Sequence, residues 1–397
     1  MSAGDRIAPD DAELADRAAS WRSAYVHIPF CRRRCPYCDF VVVTPDEGAT
    51  PDVVERYVAA VLAEIDMEPN GFGQLDAVNF GGGTPSALAP GDLAQILDRL
   101  VDRGGVRPDA EISIEANPED IDTVTARDLV AVGFNRISLG VQSLDVTVLR
   151  SLGRIHHADQ AVAAAAAARR AGFGSVSVDL IFGTPGESLA SWHETVTAAL
   201  RTEPDHLSAY ALTVERGTGL SRAVLAGAPA PDPDDLADKY EYLDATAAGA
   251  GLTRYEVSNF ATPGHPCRYN LATWAQGEYV GFGLGAHDHR GGVRRRNVRR
   301  LDVYLETVGR GESPEVGREE LTGWAKEQER VMLGLRRAAG VATGSAGAEL
   351  LRSVDGERLM IAGVVMARND RLIVNRPLMT DAAARAVVGL PPPAGWE

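Results

Sequence analysis

"YVHIPFCRRRCPYCDF", residues 25–40, places Cys31, Cys35 and Cys38 within eight residues at the spacing C-x3-C-x2-C. The run "AYVHI" that leads into it is rich in β-branched and aromatic residues, so the cysteine loop follows directly on a strand. The chain has 397 residues and one further cysteine, Cys267, far downstream. What three thiols on one loop can hold depends on the fold around them.

Working outward, short β-type runs alternate with helical patterns up to about residue 215. The strand candidates are "AYVHI", "DAVNF", "EISIEA", "RISLGV", "VSVDLIFG" and "HLSAYALTV". Between them lie helical stretches such as "DVVERYVAAVLAEIDM", "PGDLAQILDRLV" and "ADQAVAAAAAARRAG". This order predicts an α/β fold with a parallel sheet and helical crossovers. Six strand–helix units fit an open, partial (β/α)6 barrel better than a closed eight-stranded one. The cysteine loop then sits at the C-terminal mouth of the barrel, the face where such folds place their chemistry.

Proline and acidic residues cluster at 228–235, "APAPDPDD", which predicts a boundary followed by the helix "LADKYEYLDATAAG" and a strand "RYEVSN". Beyond residue 310 the pattern turns helical, "REELTGWAKEQERVMLGLRR". A hairpin "VVMARNDRLIVN" with Asn369-Asp370 at its turn follows, then a last helix, "TDAAARAVVG". The expected division is a flexible lead-in over 1–24, the barrel over 25–230, an extension of it over 231–310, and a smaller C-terminal helical, winged-helix-like domain over 311–397.

Hydrophobic residues make up 45% and charged residues 24%, which suits a globular protein with a sizeable core. A formal net charge of -15 argues against a broad nucleic-acid footprint. No stretch approaches the ~20 apolar residues of a membrane-spanning helix. The acidic N-terminus lacks the apolar core of a secretory signal. These features predict a cytoplasmic protein, whose clustered thiols stay reduced and bind metal or do chemistry. Structural zinc wants four ligands, and here the fourth would have to be His27 or Cys267. A [4Fe–4S] cluster normally takes four cysteines, so three would leave one iron open to a non-protein ligand.

C-x3-C-x2-C with an aromatic residue, Tyr37, before the last cysteine resembles the signature of the radical S-adenosylmethionine (SAM) superfamily. The resemblance implies a [4Fe–4S] cluster on Cys31, Cys35 and Cys38, with SAM chelating the open iron. Further motifs are similar, over nearly the whole chain, to the oxygen-independent coproporphyrinogen III oxidase-like branch. They are "GGGTPS" at 81–86, "SIEANPE" with Glu115, "SLGVQS" with Gln142, "LGRIHH" with Arg154 and "VDLIFGTPGES" with Asp179. Polar side chains at the ends of successive strands converge on one face, as a shared pocket requires. Glycine lets the backbone approach a ligand closely. The resemblance implies SAM contacts from Tyr25, Tyr37, Gly82, Gly83, Thr84, Glu115, Gln142, Arg154 and Asp179. The two carboxylates could pair ribose hydroxyls or the ammonium, and Arg154 the carboxylate of SAM.

That branch holds coproporphyrinogen III dehydrogenases and HemW-type heme chaperones. The dehydrogenases have a further cysteine two residues past the triplet, where this chain has Phe40. They also carry a longer N-terminal segment, whereas only 24 residues precede Tyr25 here. "DHLSAYALTVERGT" and "YEVSNFA" likewise resemble the chaperones. The resemblance therefore implies a monomer or weak dimer that binds heme and hands it to hemoproteins, respiratory ones among them. The alternative is oxidative decarboxylation of coproporphyrinogen III, begun by a 5′-deoxyadenosyl radical from SAM. A radical SAM enzyme acting on another substrate ranks last.

One motif departs from the chaperone pattern. The H-N-x-x-Y-W segment linked to heme reads "YNLATW" here: Tyr269 and Thr273 replace its histidine and tyrosine, while Asn270 and Trp274 remain. A tyrosine phenolate can ligate heme iron, which makes Tyr269, Asn270 and Trp274 the heme candidates. His265, Cys267, His287 and His289 are weaker ones. In "GGVRRRNVRR", Arg294, Arg295, Arg296, Arg299 and Arg300 form either a solvated loop or helix start, or partners for porphyrin propionates.

Overall fold

The computed structural model describes residues 13–14, 16–68 and 71–396. Six parallel strands follow one another in chain order: β1 (Arg22–Ile28), β2 (Leu75–Gly82), β3 (Val106–Ala116), β4 (Arg136–Gln142), β5 (Ser175–Phe182) and β6 (His206–Ala211). Each is a period-2 strand. Val26 and Ile28, Val78 and Phe80, Ile137 and Leu139, Val176 and Val178 join the buried core beneath the surrounding helices. The alternate positions, which face the barrel interior, carry Tyr25 and His27, Asn79, Ser113 and Glu115, Ser138, Ser177 and Asp179, Ser208 and Tyr210. The interior of the barrel is thus a polar ladder inside an apolar wall.

The helices pack on that wall by residues three and four apart. Pro51–Met67 starts at Thr50, whose hydroxyl takes the Val53 N–H, and buries Tyr57, Val58, Val61 and Ile65. In Ala158–Ala171 the alanine run buries Ala161, Ala164, Ala165 and Ala168, so small side chains bring the helix close to the sheet. It ends at Gly172, whose φ of 99° supplies the left-handed cap.

The sheet does not close. Four more strands, β9 (Glu278–Phe282), β10 (His287–Arg290), β11 (Val293–Asn297) and β12 (Glu315–Glu320), extend it beyond β1. Of these, β9 runs parallel to β1, a seventh parallel strand that the alternation did not reveal. At the other edge the expected strand "RYEVSN" is broken into β7 (Thr253–Arg254) and β8 (Asn259–Ala261), and β8 runs antiparallel to β6. The arginine-rich stretch is first a strand and only then a helix start: Arg294, Arg295 and Arg296 lie on β11, paired with β10 and β12, while Arg299 is in the bend that follows and Arg300 stands at the N-cap of the helix Leu301–Gly309. "REELT" begins as the end of β12, and the helix starts only at Gly323.

A second core gathers Trp324, Val331, Leu350, Leu372 and Val387 under the C-terminal helices. Its hairpin, β13 (Val365–Arg368) and β14 (Arg371–Val374), turns at Asn369 and Asp370, with φ of 51° and 58°, the two left-handed residues of a type I′ turn. The lead-in expected to be flexible differs in its described part. Ala18 and Trp21 are buried against Tyr255, Cys267 and Leu271; residues 1–12 and 15 lie outside the described residues.

Candidate functional site

The cysteine loop leaves β1 and returns beside it: Val43 N–H donates to Pro29 O at 2.7 Å and Cys31 N–H to Val43 O at 3.1 Å. Two of its three arginines hold it in place. Arg34 forks onto Glu47, at 3.0 and 2.9 Å, and reaches Val42 O, while Arg32 meets the buried carboxylate of Asp120 at 2.6 Å. Gly219 packs on Pro36 so closely that an added Cβ would lie 3.2 Å from it.

Cys31, Cys35 and Cys38 are all free thiols, half-buried, on the wall of one cavity of about 460 Å³. Burial pushes the Cys31 thiol up to about 11, partly countered by a hydrogen bond with the Thr84 hydroxyl at 3.3 Å. Burial raises Cys38 as well. Such thiols ionise when a metal centre binds them. Among the described residues no three of His, Cys, Asp and Glu converge on a single ion. Three thiols spread around a cavity suit a multi-iron cluster better than one tetrahedral zinc.

Tyr37, Gly82, Gly83, Thr84, Glu115, Gln142, Arg154 and Asp179 line the same cavity. Arg154 is its fixed point: one guanidinium nitrogen lies 3.9 Å from the Cys35 sulfur, the other bonds Gly140 O at 2.8 Å and the Asn117 amide, and its buried Nε has no partner among the described residues. Gln142 adopts φ of 63°, a left-handed conformation that costs a non-glycine residue energy. The turn is held because Val141 O takes bonds from both Ser143 N–H and the buried His156 ring, at 2.7 and 3.0 Å. Burial pushes the Glu115 carboxyl up to about 7, against the Gly82 N–H bond that lowers it and with Asp179 adding to the rise.

Gly82 and Gly83 also have a reason within the fold. A Cβ on Gly82, at φ of 107°, would meet the His27 ring at 2.3 Å, and one on Gly83 would lie 2.7 Å from Ile28 O. They allow β2 to approach β1, and so seat the turn beside the cysteines.

Tyr25 is the exception among the nine candidates. It does not line the cysteine cavity but a smaller one of about 150 Å³, deeper in the barrel, with Tyr269, Asn270, Arg136 and Cys267. Glu115, Ser138, Asp179 and Tyr210 form walls of both cavities. Here runs a buried chain of hydrogen bonds. Cys267 N–H donates to the Tyr255 hydroxyl at 3.3 Å, Tyr255 meets His206 Nε2 at 2.8 Å, His206 Nδ1 meets Ser177 at 2.8 Å, and Ser177 donates to Asp179 at 3.1 Å. With Asp179 a carboxylate, a single set of proton positions serves every link, each donating toward Asp179. Burial keeps His206 neutral, as that arrangement needs.

The three heme candidates do not form one pocket. The helix Arg268–Trp274 closes the N-terminal end of the barrel, opposite the cysteines, anchored by Arg268 N–H on Glu111 at 2.9 Å. Tyr269 stacks on Tyr25, rings 6.0 Å apart, and burial drives its hydroxyl further from ionisation. Trp274 instead lies beneath the Arg336 guanidinium, 4.5 Å from ring to cation. The space beside Tyr269 and Asn270 falls short of the roughly 300–1,000 Å³ that drug-sized ligands occupy. Cys267 donates to Glu111, and His289 bonds Gly277 O. Most of the arginine block is neutralised: Arg294 by Glu319 and Glu329, Arg295 by Asp288, Arg300 by Asp302.

Several lining residues had not been singled out. Asn117 stands in the quoted "SIEANPE", and Ser138 and Tyr210 were legible as inward positions of strands whose outward ones are apolar.

The family model described as Radical SAM superfamily matches residues 25–199. The heme chaperone HemW of Mycobacterium tuberculosis is 40% identical over 375 residues, 92% of this chain and 94% of that protein. HemW of Bacillus subtilis is 33% identical over 341 residues, 84% and 88% of the two chains. Among solved structures, the coproporphyrinogen III oxidase HemN of Escherichia coli, a radical SAM enzyme, superposes with a TM-score of 0.78 at 23% identity. That match covers 97% of this chain and 94% of the other, and establishes the shared fold.

Proposed function

Because the chain belongs to the radical SAM superfamily and, within it, to the family of the heme chaperone HemW, we propose that it is a heme chaperone: it binds heme and passes it to apo-hemoproteins, respiratory ones among them, in the cytoplasm. What carries this reading is the 40% identity to HemW over 92% of the chain. Phe40 supports it further, because the position that holds another cysteine in the dehydrogenases carries an exposed phenyl ring.

Cys31, Cys35 and Cys38 would hold three irons of a [4Fe–4S] cluster and leave the fourth to SAM. The donor set fits: three half-buried free thiols share one cavity with an arginine whose buried Nε has no partner among the described residues. When bound, the cluster supplies one-electron chemistry to SAM. Arg154 compensates thiolate charge at Cys35 and fixes the floor of the site through Gly140 and Asn117. Glu115 and Asp179 offer acceptors for a cationic, hydroxylated ligand such as SAM. Gln142, held in its left-handed turn, faces the same space without needing to reorganise.

The experiment is a hemin titration of the anaerobically reconstituted protein, followed by transfer to an apo-hemoprotein. Saturation near one heme per chain, with transfer, is expected. Absence of saturable binding would sink the reading.

A further inference from the structure

The mouth of the cysteine cavity carries a feature that the cluster and SAM leave unused. Phe40, two residues past the last cluster cysteine, is 58% exposed. An exposed ring at the rim of a cavity offers a face on which a flat aromatic ligand can stack. Next to it, Val42, Ile181, Tyr210 and Leu212 form an apolar wall of the same cavity.

Two guanidinium groups lie near that ring, one on the wall of the same cavity and one against the preceding residue. Arg33 is exposed, lines the cavity mouth, and has no carboxylate partner among the described residues, unlike Arg32 and Arg34 on either side of it. Among the described residues Arg299, exposed as well, donates only to the backbone carbonyl of Asp39, at 3.3 Å, the residue before Phe40. In a chain of net charge -15, most arginines of the block around Arg299 are paired with carboxylates. One exposed aromatic ring with two guanidinium groups near it, neither paired with a carboxylate among the described residues, matches a flat aromatic ligand bearing two carboxylates.

We propose that heme binds here, its porphyrin face against Phe40 and its two propionates on Arg33 and Arg299. The assignment rests on the chaperone reading and gives it a site at the cysteine mouth rather than at Tyr269. Heme bound there would cover the opening of the cluster cavity.

The test compares the wild type with Phe40→Ala, with the double variant Arg33→Gln/Arg299→Gln, and with Tyr269→Phe, all as full chains reconstituted anaerobically. The probes are hemin, metal-free protoporphyrin IX and its dimethyl ester. Hemin affinity falls about tenfold or more for each arginine removed and by a similar factor for Phe40→Ala, while Tyr269→Phe binds as wild type. The dimethyl ester binds the wild type no more tightly than the free acid binds the double variant. Unchanged melting midpoints show that these exposed positions are not needed for folding. Wild-type affinity in the rim variants overturns the site, whether or not Tyr269→Phe is impaired. So does loss of heme transfer with affinity intact, since the rim would then meet the recipient protein. A wild type that takes no heme overturns the chaperone reading together with the site.

Discussion

Arg154 lies with one guanidinium nitrogen 3.9 Å from the Cys35 sulfur and the other 2.8 Å from the Gly140 carbonyl, so one side chain joins the cysteine loop to the end of β4. Replacing it by Met leaves the buried Gly140 and Asn117 oxygens without that donor, which costs about 1–3 kcal/mol, and leaves the thiolate charge uncompensated. Arg154→Met should lower both the melting midpoint and the iron bound after anaerobic reconstitution. Arg154→Lys should recover part of the iron but not the fork of hydrogen bonds.

The four cysteines should separate cleanly. Cys31→Ala, Cys35→Ala or Cys38→Ala should each abolish the stoichiometric uptake of about four irons per chain. Cys267→Ala should leave iron content unchanged, because its thiol is committed to Glu111 at the other end of the barrel. Aerobic purification of the wild type should give colourless, largely apo protein, as an open cluster iron is attacked by oxygen. Full iron after aerobic handling would contradict the three-cysteine assignment.

Gly82 cannot carry a side chain. Gly82→Ala forces a residue with a Cβ to φ of 107° and drives that carbon into the His27 ring. A loss of more than about 1 kcal/mol is expected from backbone strain alone, read as a lower midpoint in urea at unchanged m. An undiminished midpoint would mean that the β1–β2 approach relaxes freely.

Glu64 sets a pH dependence remote from the cysteines. It is buried, takes donors from Tyr304, Gly283 N–H and Asn297, and burial pushes its carboxyl from 4.5 up to about 7. The native state therefore binds more protons than the unfolded chain between those values. Stability from this group is complete below about pH 4.5 and is lost as pH rises toward 7, by an upper bound of roughly 3 kcal/mol. Glu64→Gln should flatten the stability-against-pH curve in that window. A variant curve parallel to the wild type would refute the assignment.

Much of the barrel was legible in the sequence because its information is local. "EISIEA" alternates apolar and polar residues strictly, "SVSVD" does so up to Asp179, and the cysteine spacing lies within eight residues of one loop. What escaped depends on partners far along the chain. Nothing near Arg294 tells of Glu319 and Glu329, and nothing in "EYVGF" tells that it will lie parallel to β1. That Tyr25 lines the smaller cavity was not legible for a related reason: alternation says that it points inward, not at what depth. Trp274 keeps its place in the motif, yet its ring turns to Arg336 from the other core.

The proton-ordered chain from Cys267 to Asp179 has a consequence for how this barrel can change over generations. Each of Ser177, His206 and Tyr255 receives a proton on one side and gives one on the other. A phenylalanine at 255, an alanine at 177 or a leucine at 206 leaves a buried neighbour with a proton and no acceptor, or the reverse. Single substitutions along this line are penalised where compensated pairs are not. The barrel's interior is therefore expected to drift by linked replacements, so that the fate of a change at one end depends on the residue already present at the other.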